Sequence, residues 1–184
     1  MNKLVSFNDL KFFIREDLSQ RKLKFKWILL INPLIRFHIA LRFYEFLINR
    51  DSIWRHLFKI YYYRLSLKLG FSIPPNVFNY GLCIVHYGNI IVNPNSKIGK
   101  NCRIHVGVNI GGKAGFYSEA EAKNLCPVIG DNCYIGPGAK IFGSVKIANG
   151  CSIGANAVVN KSCSIEDSVL VGIPAKRLEK NEEN

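Results

Sequence analysis

Val128-Ile129-Gly130-Asp131-Asn132-Cys133-Tyr134-Ile135-Gly136-Pro137-Gly138-Ala139-Lys140-Ile141 sets the rhythm of this chain. An aliphatic residue returns every sixth position, and the residue four places later is small. Upstream the aliphatic series holds Ile98, Ile104 and Ile110; downstream it runs through Ile147, Ile153, Val159, Ile165 and Val171. Except at Ile110, where the rhythm breaks, the small partners are Cys102, Val108, Cys133, Ala139, Val145, Cys151, Ala157, Cys163, Val169 and Ala175. A helix repeats at 3.6 residues and a plain strand at 2, so a six-residue period marks a stacked repeat. Residues four apart in a strand face the same way. Each hexad therefore sends one aliphatic and one small side chain into a narrow core. The Gly, Asn, Asp and Pro between them suit tight corners, where positive φ is often required. The result is a parallel β-helix of short strands and corners.

Between Ile110 and Ile129 the chain spends one hexad plus thirteen extra residues. Thirteen residues do not fit inside such a core, so the stretch from Gly112 to about Cys126 is expected to leave it as a loop of about 112–126. Inserted loops on solenoids often carry binding function.

The formal net charge of +12 is unevenly shared. Residues 1–70 hold fourteen Lys/Arg against five Asp/Glu, and residues 71–184 eleven against eight. Of the six cysteines, Cys102, Cys133, Cys151 and Cys163 occupy the small core position, so they read as buried hydrophobes rather than disulfide partners. There is no CxxC pair to suggest a zinc ribbon or a thioredoxin-like site. Asp9, Glu16 and Asp17 precede any long apolar stretch, which argues against a secretory signal, and a reducing cytoplasm is the expected compartment. The longest apolar stretch, Trp27–Ile35, is broken by Asn32-Pro33 and falls short of the ~20 residues that span a bilayer.

Residues 6–19 and 34–70 read as helical, interrupted near Pro33 and ended by Gly70. The second stretch interleaves Phe37, Phe43, Trp54 and Tyr61 with Arg36, Arg42, Arg55 and Lys59. Such a pattern suits a helical subdomain packed on the end of the coil, and also contact with an anionic membrane surface. Without a zinc finger, an RNP-like strand or a helix-turn-helix, the basic charge does not indicate nucleic-acid binding.

The four histidines are His38, His56, His86 and His105. His38 and His56 lie among basic residues and read as surface or packing groups. His86 stands in Val85-His86-Tyr87-Gly88-Asn89-Ile90-Ile91-Val92, just ahead of the regular repeat, where a neutral imidazole beside a Gly-containing turn suits a general base. A strand histidine with satisfied hydrogen bonds is the alternative.

Residues 71–178 resemble the left-handed β-helix acyltransferases of the hexapeptide-repeat family. The branch they are most similar to comprises serine acetyltransferases and their relatives that O-acetylate sugars in capsule and exopolysaccharide synthesis. The resemblance rests on His86 to Val92, Gly111-Gly112, Ile135-Gly136-Pro137-Gly138-Ala139-Lys140-Ile141 and Val171-Gly172-Ile173-Pro174-Ala175-Lys176. It implies acetyl transfer from acetyl-CoA to a hydroxyl, with His86 deprotonating the acceptor. It further implies an oxyanion donor near Gly111-Gly112, a cofactor groove along Gly112, Ala139 and Ala157, and phosphate contacts from Lys176 and Arg177. Tyr87 and Asn109 become candidate substrate contacts. A homotrimer follows, with a dimer of trimers as the larger alternative, each site being shared between subunits and no metal required. His86 and His105 alone lack a third ligand for zinc.

Three departures bear on the acceptor. Val85 stands where the serine enzymes carry an acid, Ser72-Ile73-Pro74-Pro75 replaces their Asp-Ile-His-Pro, and Cys126 replaces the histidine before the loop-closing Pro127. A small zwitterion needs charged partners when desolvated, whereas a sugar hydroxyl does not. The sequence therefore favours a saccharide acceptor, with serine O-acetylation as the alternative and a non-catalytic membrane-associated scaffold behind both. Without a neighbouring acid the orienter of His86 stays open, a backbone carbonyl and Asn79 being candidates. The expected architecture is mainly β: a left-handed parallel β-helix over 71–184 after a basic helical region at 1–70.

Overall fold

In the computed structural model, Ile104, Ile135, Ile153 and Leu170 stack in register, one per coil, down the interior. Residues 4–20, 32–115, 117–122 and 124–179 are described. The side chain at each inward position is buried: Ile98, Ile104, Ile135, Ile141 and Ile153 are fully shielded, as are the small partners Cys102, Ala139, Cys151 and Ala157. Strands two or three residues long leave no room for more than this alternation.

The strands form three faces. One sheet stacks β1 (Phe71–Ser72), β3 (Ile90–Val92), β6 (Asn109–Gly111), β9 (Lys140–Phe142) and β12 (Val158–Val159). A second stacks β4 (Lys97–Ile98), β7 (Val128–Ile129) and β10 (Lys146–Ile147). The third stacks β2 (Cys83–Ile84), β5 (Arg103–Ile104), β8 (Tyr134–Ile135), β11 (Ser152–Ile153) and β13 (Val169–Val171), closed by antiparallel β14 (Lys176–Arg177). All other pairings are parallel. Left-handed corners at Asn101, Asn132 and Asn156, with φ of 56°, 57° and 55°, turn the chain from face to face. Asn101 Nδ2 donates to Asn132 Oδ1 at 2.9 Å, linking two corners along the axis.

Two expectations fail at the carboxyl end. Ile165 and Val169 are exposed, Val171, Ala175 and Cys163 are partly exposed, and Leu170 takes the inward place instead. Ile135 lies eighteen positions before its partner Ile153, but Ile153 lies only seventeen before Leu170. The last coil is one residue short, and a one-residue slip turns every side chain to the other face.

The expected continuous helix over 34–70 is two helices. After α1 (Phe7–Ser19), α2 (Pro33–Asn49) begins with Pro33 in its first turn behind an Asn32 cap, so this proline starts a helix rather than interrupting one. The chain then reverses through Asp51 at φ 53° into α3 (Trp54–Leu69), which ends on left-handed Gly70. Phe37, Leu41, Tyr62 and Leu65 share one core with Phe71, Phe78, Ile84 and Ile90 of the first coil.

Arg42, read from the sequence as part of a basic face, is fully buried at this junction. Its Nε donates to Asp17 Oδ2 at 2.8 Å and Nη1 to Glu45 Oε2 at 2.9 Å. Nη1 and Nη2 also donate to the carbonyls of Phe78 at 2.9 Å and Asn79 at 2.7 Å. Asp17 Oδ1 accepts the Leu82 amide at 2.9 Å, and Glu45 Oε1 accepts that of Asn76 at 2.8 Å. One guanidinium thus joins α1, α2 and the first coil. Arg42→Met strands two buried carboxylates and should lower unfolding free energy by about 3–5 kcal/mol in urea titration; a change under about 1 kcal/mol would contradict the role assigned to this cluster.

Candidate active site

His86 follows β2 at the corner that leads into β3, where five residues, 85–89, cross between two sheets. Two bonds pin the corner: the Val85 amide donates to Ile104 O at 3.1 Å and that of Gly88 to Leu69 O at 2.8 Å. Gly88 has φ 128°, and a Cβ there would lie 2.6 Å from Val106 Cγ2, so only glycine fits under the next coil. The corner presents His86 and Tyr87 to the exterior, Tyr87 being 68% exposed.

Along the coil axis His86 is followed by His105, ring centroids 6.3 Å apart, and then by Tyr134, 5.0 Å from His105. His105 Nε2 is buried without a hydrogen-bond partner among the described residues. Burial, helped by Arg103 and His86, pushes the His105 imidazole below its ordinary value, so it stays neutral near pH 7. No carboxylate hydrogen-bonds or ion-pairs with His86 among the described residues. Asn79 does not orient it either: its Oδ1 accepts the Tyr80 amide, and its carbonyl serves Arg42.

At the other edge of the five-stranded sheet a groove of about 510 Å³ opens. Gly112, Lys113 and Ala114 form one wall; Phe142, Gly143, Ser144 and Val145 form the next; Asn160 and Ser162 close the lower end. These residues follow β6, β9 and β12, so the groove runs along successive corners. Gly111 is pressed against Phe142, whose ring atoms lie 2.6 Å from where its Cβ would be. A three-residue strand advances roughly 10 Å, so His86 and the groove are separated by the width of a face within one chain.

The thirteen-residue excursion begins beside this groove. The chain leaves the coil after Gly111 and rejoins it at β7, with α4 (Glu119–Ala122) between. Ser118 caps α4, accepting the Glu121 amide at 3.4 Å, and the Lys113 amide donates to Leu125 O at 2.8 Å to close the loop. Cys126 is buried at its base, where its thiol donates to Asn93 Oδ1 at 3.3 Å and Ala122 O at 3.2 Å. Burial pushes this thiol above its ordinary value, the reverse of what a nucleophilic cysteine requires.

Of the residues singled out in the sequence, Gly112 lines the groove and Gly111 supports it. Ala139 and Ala157 point into the core with no exposed surface. Their amides are spent within the coil, on Gly136 O and Gly154 O, and their carbonyls accept from Asn109 and Lys140. They are core fillers, because the small position of the hexad is an inward one. Lys176 and Arg177 lie exposed on β14, and Arg177 lines a separate depression with Glu166 and Glu179. Asn109 is half-buried within the five-stranded sheet, between Ile91 and Lys140. Lys113, Ser144, Asn160 and Ser162 carried no hexad signal because corner residues are free to vary in the repeat.

Residues 126–161 match the family model described as bacterial transferase hexapeptide (six repeats). The chain carries this hexapeptide repeat on the left-handed β-helix fold of the serine acetyltransferases. It superposes on soybean serine acetyltransferase with a TM-score of 0.77 and 25% identity, covering 92% of this chain and 69% of that one. For Neisseria gonorrhoeae serine acetyltransferase the TM-score is 0.71 at 23% identity, over 96% and 68%. A serine acetyltransferase of Staphylococcus aureus strain Mu50 is 39% identical over 93 residues, half of this chain and 41% of that protein. The chain thus spans about two-fifths of the length of the curated relatives it matches.

The burial pattern predicts thiol reactivity. In the native protein at neutral pH, iodoacetamide should label Cys163 first, since the other five cysteines are buried. Peptide mass spectrometry would show this, and early labelling of Cys126 would contradict the closed loop.

Proposed function

We propose that this protein is an O-acetyltransferase that moves the acetyl group of acetyl-CoA to a hydroxyl, with His86 as general base. The observation that carries the reading is the pairing of an exposed imidazole at one corner with an extended groove along the opposite corner. A further support is a solved structure described as a serine acetyltransferase complex with CoA, which shares this fold at a TM-score of 0.75. A thin, flexible thioester suits an open groove lined by glycine, serine and one lysine. Lys113 meets the cofactor's phosphates in this reading, replacing Lys176 and Arg177.

His86 accepts the hydroxyl proton as the acceptor oxygen bonds to the thioester carbon. A backbone N–H at the Gly111-Gly112 turn steadies the oxyanion. When the carbon–sulfur bond breaks, the imidazolium returns its proton to the thiolate, leaving an O-acetyl ester and CoA. Because imidazole and groove lie at opposite edges of one sheet, a second copy supplies whichever half the first lacks. A homotrimer satisfies this, each interface holding one His86 and one groove.

Serine is the acceptor that the relatives support, since those reported above are all serine acetyltransferases; the saccharide expected from the sequence has no named relative behind it. One observation keeps the saccharide as a second reading: no carboxylate is placed on His86 among the described residues to meet an ammonium group. Thioester loss from acetyl-CoA, followed with L-serine and with a panel of hexoses and nucleotide sugars, separates the two.

His86→Ala should lower kcat/KM by about 10²–10⁴-fold while leaving CoA binding by calorimetry intact. Ser144→Trp, at an exposed groove position, should raise the KM for acetyl-CoA at least about tenfold with little change in thermal stability. Undiminished transfer by His86→Ala would remove the proposed base.

A further inference from the structure

The outer face of α3 is apolar where a surface helix should be polar. Tyr62, Leu65, Ser66 and Leu69 face the core. On the opposite side, Ile53 just before the helix, then Leu57, Ile60 and Leu67, are 80%, 64%, 55% and 76% exposed. At 100° per residue these four and Arg64 fall within an arc of roughly 80°, forming one continuous ridge. Trp54, Tyr61 and Tyr63 are also exposed along this helix. A ridge of this kind on a monomer marks an interaction site.

The charges beside it select the partner. α3 has no Asp or Glu, and Arg64, Lys68 and Lys59 make no ion pair with any described residue. Arg55 alone is paired, with Asp51. Two apolar furrows flank the ridge. One, of about 390 Å³, lies between α3 and the first coil beneath Lys59; the other, of about 430 Å³, lies between α2 and α3 beside Arg36. A second copy of α3 would bring the same unpaired cations against these and no acid to meet them, which is repulsive. A ridge with apolar furrows and cationic rims instead fits lipid: aliphatic side chains among acyl chains, aromatic rings at headgroup depth, and Lys and Arg on anionic headgroups. No helix among the described residues is long and apolar enough to cross a bilayer, so α3 would lie in the interface plane.

We infer that α3 docks this protein onto an anionic lipid surface, leaving the β-helix and its corners projecting away. The inference is independent of the acetyl-transfer reading, because none of these residues belongs to the candidate site.

Co-sedimentation of the full chain with vesicles of phosphatidylglycerol and phosphatidylcholine, beside vesicles of phosphatidylcholine alone, tests it. The protein should bind the anionic vesicles and not the neutral ones. Replacing Ile53, Leu57, Ile60 and Leu67 together by serine, with every charge kept, should reduce partitioning at least about tenfold. Arg64→Gln and Lys68→Gln should each reduce it roughly fivefold. These positions are exposed, and unchanged circular dichroism and melting temperature would establish that the variants fold. Binding that survives the serine replacements would mean charge alone holds the protein, and would overturn the inference. So would failure to bind anionic vesicles, including the case in which sedimentation velocity shows the serine variant losing a self-association that the parent chain possesses.

Discussion

A coil this narrow admits one aliphatic and one small side chain per face, and the rest of the molecule answers to that constraint. With Ile135 and Ala139 committed inward, chemistry can reside only where the chain turns. His86 sits on a turn, the groove runs down a series of turns, and the inserted loop departs from one. Within the β-helix the faces supply spacing and rigidity, and the corners carry the candidate site.

A β-helix also needs its ends covered, since the first coil would otherwise expose both backbone and core. Here α1, α2 and α3 cover it, and Phe37, Leu41 and Tyr62 extend the same core past the first strand. Arg42 fixes the cap by reaching two helices and two carbonyls of the first coil at once. A polar junction of this kind fixes orientation more sharply than apolar packing does, because only one geometry satisfies all its donors. With Tyr62, Leu65 and Leu69 of its inner side packed into the shared core, α3 is left with an outer ridge exposed among the described residues.

The repeat was legible because periodicity is a property of the core, and residues as different as Cys133, Ala139 and Val145 meet one steric demand. The same logic misled at the ends of the chain. Ile165 kept the six-residue count, but the last coil is a residue shorter and Leu170 went inward. Arg42 looked like one more surface cation, since charge carries no sign of burial until its partners Asp17 and Glu45 are seen to converge on it. Ala139 and Ala157 are small because the hexad demands it, and the same hexad turns their side chains inward. The corner at His86 stood out through Gly88, which the close approach of Val106 requires. The groove residues Lys113 and Ser144 had no such signature, because a corner constrains backbone shape and leaves side chains free. The stretch 34–70 reads as one helix because both of its helices are apolar and basic; the break rests on a single left-handed residue, Asp51.

The central claim is that one chain's imidazole works on thioester held by another chain's groove. Complementation tests it most directly. His86→Ala and Ser144→Trp chains, each strongly impaired alone at acetyl-CoA concentrations below the parent KM, are co-expressed with different tags, and heteromers carrying both are purified and assayed at such a concentration. In a heterotrimer of the two variants one interface in three pairs an intact His86 with an intact groove, restoring about a third of the parent activity. Heteromers that remain as inactive as either variant alone would contradict a site shared between subunits.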